Sequence, residues 1–154
     1  MPITTKPTTL RDVTLTLTPS GGTEVAYECQ LTQAQLTPSS GGGGGNTLVT
    51  FCATHDDGGA GTLASWTLDL AGFQAYADAE DFSMLSFDSE GELFGFSLIP
   101  TGGAPSATTP GFEGEVTMVA TPIGGTAGQY ATFTVSLPCT GKPTKNITPP
   151  DPGL

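Results

Sequence analysis

Few residues of this sequence have the type and spacing that chemistry requires. His55 is the only histidine, so a catalytic triad or an imidazole metal site would have to be built on it. It stands beside Asp56 and Asp57 in a glycine-rich stretch, where a solvated turn is the simpler interpretation. Residues 88–92 lack the alternating oxygen ligands of a calcium loop. Residues 140–144 end like a phosphate loop, but a proline follows the lysine, so no helix can start there. We expect no enzyme activity, no metal and no cofactor.

The remaining acids and thiols do not change that expectation. Fifteen acidic residues always allow some pair to be nominated for glycoside hydrolysis, and their spacing singles out none. Cys29, Cys52 and Cys139 form no CxxC pair and are odd in number. Cys29 and Cys52 lie in strand-like runs, where a free thiol acts as a small apolar side chain. A reducing compartment at synthesis is therefore expected.

Composition narrows the structural class. The 154 residues are 36% hydrophobic and only 12% charged, and they include 22 glycines, 13 prolines and 26 threonines. A coiled coil would need far more Ala, Glu, Lys and Leu, and no run is long and apolar enough for a transmembrane helix. The pattern favours a threonine-rich all-β domain.

Charge is distributed unevenly along the chain. The formal net charge is −11, and all four basic residues lie near the ends while 14 of the 15 acids lie between them. Because nucleic-acid binding relies on Lys and Arg to replace counterions, the body should repel DNA. Anionic membranes are disfavoured for the same reason.

Alternation of apolar and polar residues predicts seven strands. The clearest runs are 12–18 and 66–70, in which leucines alternate with threonines or an aspartate. Residues 25–31 should follow the first strand as a hairpin, and residues 115–121 and 130–137 should form the last hairpin. The remaining predicted strands are 48–53 and 93–99.

One helix is expected over residues 78–89. Asp78 is the predicted N-cap, Glu80 and Asp81 would place negative charge in the first turn, and Gly91 suits the left-handed position after the helix. Together these elements predict a mainly β fold, a β-sandwich or partly closed barrel with the helix packed on it.

Domain organisation follows from the glycine- and proline-rich segments. The sequence predicts an extended N-terminal arm over residues 1–9, a β domain over 10–138 and a proline-rich C-terminal arm over 139–154. Within the β domain, flexible loops are expected at residues 38–46 and 100–111.

The predicted strand edges suggest self-association. Soluble β proteins usually protect open edges with lysine, proline or inward charges, and here no predicted strand contains a lysine. The basic residues at the chain ends could then bind the acidic body of a neighbouring copy. The sequence therefore predicts a homo-oligomer joined through β edges and tied by Lys6, Arg11, Lys142 and Lys145.

The order of these features resembles a known family. Five features carry the resemblance: the arm leading into residues 14–18, the loop after the second strand, the string Trp66-Thr67-Leu68-Asp69-Leu70, the acidic helix and the glycine-linked final strands. In this order they are similar to the major tail tube protein of bacteriophages with long non-contractile tails.

That resemblance implies a structural virion protein. Members of the family form homohexameric rings that stack by self-assembly into a tail tube, the negatively charged conduit for genome ejection into the host. The implied partners are further copies of the chain and the tape measure, tail terminator and tail tip proteins. Double-stranded DNA would pass through without specific binding, and no membrane is involved. The protein would be made in the host cytoplasm and reside in the virion tail.

A lumen for DNA transit should be polar and free of cations. The residues of the sequence that could line it are hydroxyl or carboxylate side chains, and an ordinary solvent-facing strand position is the alternative for each. These candidates are Thr14, Thr16, Thr18, Glu28, Asp69, Glu115, Thr117, Thr132 and Thr134. The candidates for contacts between subunits are the four basic residues and the glycine-rich loop: Lys6, Arg11, Gly41, Gly43, Gly45, Asn46, Lys142 and Lys145.

Two other classes have the same composition. A capsid decoration or other head protein would also be acidic and all-β. A carbohydrate-binding or adhesion module would be as well, but it should show a surface patch of aromatic residues, and Trp66 alternates with leucines as a core residue would.

Overall fold

The computed structural model describes residues 8–27, 29–39 and 65–148 of the chain. Those residues form two antiparallel sheets and one short helix, which confirms the predicted mainly β class and is consistent with a β-sandwich; the described strands form no closed barrel. The elements are β1 Thr14–Pro19, β2 Val25–Ala26, β3 Leu31–Ser39, β4 Ser65–Phe73, α1 Phe82–Asp88, β5 Leu93–Ile99, β6 Gly111–Thr117, β7 Thr132–Pro138 and β8 Thr144–Asn146.

The strand order defines two layers. The five-stranded sheet has the order β2-β1-β5-β6-β8, and the three-stranded sheet has the order β3-β4-β7. Alternate residues of these strands point into the core between the sheets, as the period of two predicts. The buried core residues are Leu15, Leu17, Tyr27, Leu68, Leu70, Phe82, Phe94, Phe96, Leu98, Val116, Met118, Phe133, Val135 and Leu137.

The predicted strand over residues 25–31 is wrong in its length. β2 pairs with β1 as the expected hairpin, but it ends at Ala26. The backbone N–H groups of Gln30 and Leu31 then donate to the carbonyl oxygen of Tyr27, at 3.0 and 3.2 Å. This turn carries the chain from one sheet to the other, and the Tyr27 side chain is buried beneath it.

A strand appears where the loop was predicted to begin. β3 includes Pro38 and Ser39, the first two residues of the predicted loop 38–46. Its outward residues are glutamines and threonines, so its apolar alternation is weak, and pairing with β4 supplies the stability that local propensity does not. The rest of that loop, the predicted strand 48–53 and residues 1–7 of the N-terminal arm lie outside the described residues.

The last predicted hairpin is also wrong. β6 belongs to the five-stranded sheet, where it pairs with β5 and β8, and β7 belongs to the other sheet, where it pairs with β4. Residues 118–131 cross between the layers, so β6 and β7 are not paired, and an isolated bridge joins Val116 to Cys139, the residue after β7. The glycine-rich connection resembled a hairpin turn because crossing and reversing the chain need the same residue types.

Helix α1 is shorter than the sequence predicts. It begins at Phe82, so Asp81 takes the N-cap position, and the predicted N-cap Asp78 lies in the preceding turn. There the Asp78 N–H donates to the Asp81 carboxylate at 3.0 Å. Gly91 has φ 87°, which confirms the predicted left-handed position after the helix.

The C-terminal segment and the 100–111 loop are tied to the fold. β8, at residues 144–146 of the predicted C-terminal arm, pairs with the start of β6. Residues 100–110 connect β5 to β6, and the Ser106 N–H donates to the Thr109 carbonyl at 3.0 Å. Pro105 of this connection is buried.

Candidate functional site

The outer surface of the five-stranded sheet is polar. One row of register partners crosses four of its strands, from Thr16 through Ser97 and Glu113 to Thr144. We call this surface the A face. It comprises Thr14, Thr16, Thr18, Ser97, Glu113, Glu115, Thr117 and Thr144, none of which is basic.

The outer surface of the three-stranded sheet is richer in neutral hydrogen-bonding groups. Its central row runs from Gln35 through Asp69 to Ser136. We call this surface the B face. It comprises Gln33, Gln35, Thr37, Ser39, Ser65, Thr67, Asp69, Ala71, Thr132, Thr134 and Ser136, together with the apolar Phe73 and Pro138 at its ends, and Asp69 is its one charged member.

Hydroxyl groups surround the Asp69 carboxylate. Thr37 Oγ1 donates to Oδ2 and Ser136 Oγ donates to Oδ1, each at 2.5 Å. Partial burial raises the pKa of Asp69. Hydrogen bonds from Ser136, Thr37 and Thr67 together lower it by more than burial raises it, so the pKa lies below its ordinary value of 3.8. The B face therefore carries one carboxylate that stays ionised at any physiological pH.

Replacing Asp69 with asparagine should make stability less dependent on pH. Because the folded pKa is depressed, the carboxylate contributes stability above pH 3.8 and loses it as pH falls through the folded value. After a discount for solvent exposure we expect D69N to lower the free energy of unfolding by about 1 kcal/mol at pH 7. Urea denaturation at pH 7 and at acid pH measures the difference, which should vanish in acid. A difference that persists unchanged in acid would contradict this account, and Glu115→Gln on the A face is the matched control.

The structure divides the predicted lumen residues between two opposite faces. Thr14, Thr16, Thr18, Glu115 and Thr117 lie on the A face, and Asp69, Thr132 and Thr134 lie on the B face. Glu28 lies outside the described residues. The described candidates therefore do not share one surface, and the prediction that they line a lumen stays a prediction. The two sheets of a sandwich turn their outer surfaces in opposite directions, so one lumen can take only one of them.

The edges of the two sheets also differ. The five-stranded sheet ends in β2 and β8, which are two and three residues long. The three-stranded sheet ends in β3 and β7, which are nine and seven residues long and contain no lysine or arginine. Within the described ranges no further strand pairs with their outer edges. The long edge strands therefore belong to the sheet that carries the B face, and their prolines, Pro38 and Pro138, lie only near the strand ends.

The basic residues come together in space although they are far apart in the sequence. Arg11 lines a cavity of about 380 Å³, and Lys142 and Lys145 line another of about 530 Å³. Leu10, Ala34 and Gln35 line both cavities. The other predicted contact residues, Lys6, Gly41, Gly43, Gly45 and Asn46, lie outside the described residues.

An exposed aromatic cluster escaped the sequence prediction. Phe73 and Tyr130 pack edge to face with ring centroids 6.3 Å apart, and Tyr130 is 90% exposed. Gln74 fastens the neighbouring loop, since its side-chain amide donates to the Gly124 carbonyl at 2.9 Å and its oxygen accepts from the Gly124 N–H at 2.9 Å. The alternation of a strand could have predicted the exposure of Phe73. Trp66, Leu68 and Leu70 point inward at even positions, so residue 73, at an odd position, must point outward.

One thiol and one phenol of the described residues have raised pKa values. Cys29 and Cys139 are free, and burial together with the Asp69 charge raises the pKa of the Cys139 thiol. Burial, aided by the charges of Glu80 and Asp81, raises the pKa of Tyr27 to about 12. Its hydroxyl donates to the Glu80 carbonyl at 2.9 Å. The raised pKa values keep the Cys139 thiol and the Tyr27 phenol protonated at neutral pH.

The described residues contain neither a candidate metal cluster nor a membrane-spanning helix. Among the described cysteine and acidic side chains, no three are grouped so that they could hold a metal ion. His55 and Cys52 lie outside the described residues. No helix in the described ranges has the length and apolar character needed to cross a membrane. A comparison of the chain with protein-family models and with curated proteins finds no match.

Proposed function

We propose that this chain is the structural subunit of a phage tail tube, which assembles as stacked hexameric rings around a conduit for DNA. The observation that carries the proposal is the combination found in the three-stranded sheet. Its B face has no cation and a single ionised carboxylate, and both of its edge strands are open among the described residues. The two properties occur in the same sheet.

This combination suits a lumen that DNA must pass. Lysine or arginine in the wall would bind phosphate and hold the duplex, whereas hydroxyl groups keep a water layer and the carboxylate repels the backbone. Open edges allow the sheet of one copy to pair with the sheet of the next, so that the ring continues one β surface. We therefore assign Asp69, Thr132 and Thr134 to the lumen, and the A-face candidates to the outside.

Electron microscopy of the purified chain tests the assembly. Negatively stained protein at high concentration should show rings or tubes. A matched pair of variants, Thr134→Lys on the B face and Thr16→Lys on the A face, tests which surface lines the lumen. Tubes of T134K should retain short double-stranded DNA in low salt and shield it from nuclease, because the new cations lie inside.

Tubes of T16K should leave any bound DNA open to nuclease. The opposite result, with DNA shielded by T16K alone, would place the A face in the lumen. A wild-type chain that forms no ring or tube at any concentration would overturn the proposed function.

Carbohydrate binding is a second candidate function because of the exposed aromatic cluster. Tyr130 and Phe73 present ring surfaces of the kind on which sugar rings stack. A chain that stays monomeric and binds glycans through Tyr130 would favour this function over the tube.

A further inference from the structure

The positive charges of the described chain surround one apolar cleft. The cavities of about 380 and 530 Å³ share three lining residues and are therefore neighbours, and we call the two together the basic cleft. Arg11, Lys142 and Lys145 are all exposed along it. They are every Lys and Arg in the described ranges, and in a chain with a net charge of −11 their convergence points to an acidic ligand.

The floor of the basic cleft is apolar. Trp66, Leu36, Leu98 and Phe112 line its larger part, and none of the described residues that line either cavity is acidic. Lys145 reaches it because its register partner is Phe112, which places it on the opposite side of β8 from the A face. A matching ligand therefore combines carboxylates with an apolar side chain.

The chain itself presents such a ligand. Between α1 and β5, residues 87–93 form a protruding segment that we call the acidic turn. Asp88, Glu90 and Glu92 are exposed, and at its two ends Phe87 is 60% and Leu93 is 47% exposed. The Gly91 N–H donates to the Met118 carbonyl at 2.9 Å and the Met118 N–H donates to the Glu92 carbonyl at 2.8 Å, so the turn is held in one conformation before it binds.

The two surfaces lie at opposite ends of the same strand. β5 begins at Leu93 in the acidic turn and runs to Leu98 and Pro100 at the basic cleft, a distance of about 20 Å at the usual rise per residue. The acidic turn of one chain therefore cannot reach the basic cleft of the same chain. A contact between unlike surfaces can repeat from copy to copy, and it builds an extended assembly when its geometry does not close on itself.

We propose that the acidic turn of one copy docks into the basic cleft of a copy in the next ring. This inference rests on the proposed function in assigning the contact to ring stacking, while β-edge pairing closes each ring. The apolar residues of the turn lie against the cleft floor, and its carboxylates lie beside the three cations. Lys142 and Lys145 then reach between rings and not along them.

Charge reversal tests the contact. One variant carries K142E and K145E in the cleft, and a second carries E90K and E92K in the turn. Each alone should form single rings at concentrations where the wild type forms tubes, with an association constant at least tenfold weaker by sedimentation. An equimolar mixture of the two variants should restore stacking, because each cleft again meets a turn of opposite charge.

The control variant, Glu24→Lys with Asp78→Lys, changes the net charge as much as the turn reversal does, at exposed positions elsewhere. It should keep wild-type association. Stacking that is unaffected by both reversals, or a mixture that is not restored, overturns the docking contact and leaves the tube function standing. Restored association of a form that is neither ring nor tube supports the contact and overturns the tube function, and a wild type that never associates overturns both.

Discussion

Replacing Phe82 with alanine is expected to lower the free energy of unfolding by about 3–5 kcal/mol. The Phe82 side chain is fully buried, and it stacks on Phe133 at a centroid distance of 5.2 Å while Tyr27 meets it edge-on at 5.5 Å. It is the residue through which helix α1 joins the core. The loss would be a large part of the roughly 5–15 kcal/mol by which folded domains are stable.

The same helix supplies the control for this substitution. Phe87 lies five residues further along α1 and is 60% exposed, so Phe87→Ala should change the stability by less than about 0.5 kcal/mol. Urea denaturation of both variants in high salt, where charge-driven association is screened, measures the difference. Equal effects of the two substitutions would show that α1 does not pack as described.

Gly72→Ala is expected to destabilise the fold by about 3 kcal/mol, although it adds a single methyl group. A Cβ atom at this position would lie 2.5 Å from the carbonyl oxygen of Gln30 and 3.2 Å from the Cα atom of Leu31. Both are backbone atoms, so the turn that carries the chain between the sheets would have to shift. The Gln30 side chain would move with it and weaken the hydrogen bond that its oxygen accepts from the Phe82 N–H at 3.0 Å.

Gly95 is the matched control for Gly72. It is also a strand glycine, but a Cβ atom there would come no closer than 3.8 Å, to the carbonyl oxygen of Thr18. Gly95→Ala should therefore be neutral or stabilise the fold by about 0.5 kcal/mol, because alanine restricts the unfolded chain. Thermal and urea unfolding of the two variants should give opposite signs or clearly unequal magnitudes. Similar destabilisation by both would contradict the close approach at Gly72.

The two proposals divide assembly between two kinds of force. Pairing of β3 and β7 edges would depend on backbone hydrogen bonds, which salt hardly affects, while docking into the basic cleft would depend on exposed charges and weaken as salt rises. Rings should thus persist at salt concentrations that separate stacked rings. In this proposal the negative charge of the remaining surface would keep free subunits apart until these specific contacts form.

Local pattern predicted much of the secondary structure. The alternation in residues 12–18 and 66–70 placed leucines inward, and Leu15 and Leu68 are indeed buried. Such patterns depend only on the period of a strand, which neighbouring residues determine. The helix was also predicted from neighbouring residues, through its capping and first-turn charges. Its start was placed four residues early because two acidic residues in the preceding turn look like a first helical turn.

That local pattern could not predict which distant strands pair with each other. β3 has few apolar residues and is a strand because β4 lies beside it. β6 and β7 have strong alternation, yet nothing local says that they enter different sheets. The cleft and the aromatic cluster depend on the same nonlocal choices, since the cavities lined by Arg11 and by Lys145 adjoin only after β1 and β8 have joined their sheet.

By itself, then, the order of residues determined the β class, the inward and outward sides of the strands in residues 12–18 and 66–70, and the absence of Lys and Arg between Asp12 and Gly141. Each of these follows from composition or from a two-residue period. Only the tertiary structure decided which threonines share a surface, which sheet has open edges and where the few cations meet. Those properties depend on the partner that each strand finds, and that choice is made by packing of the whole core.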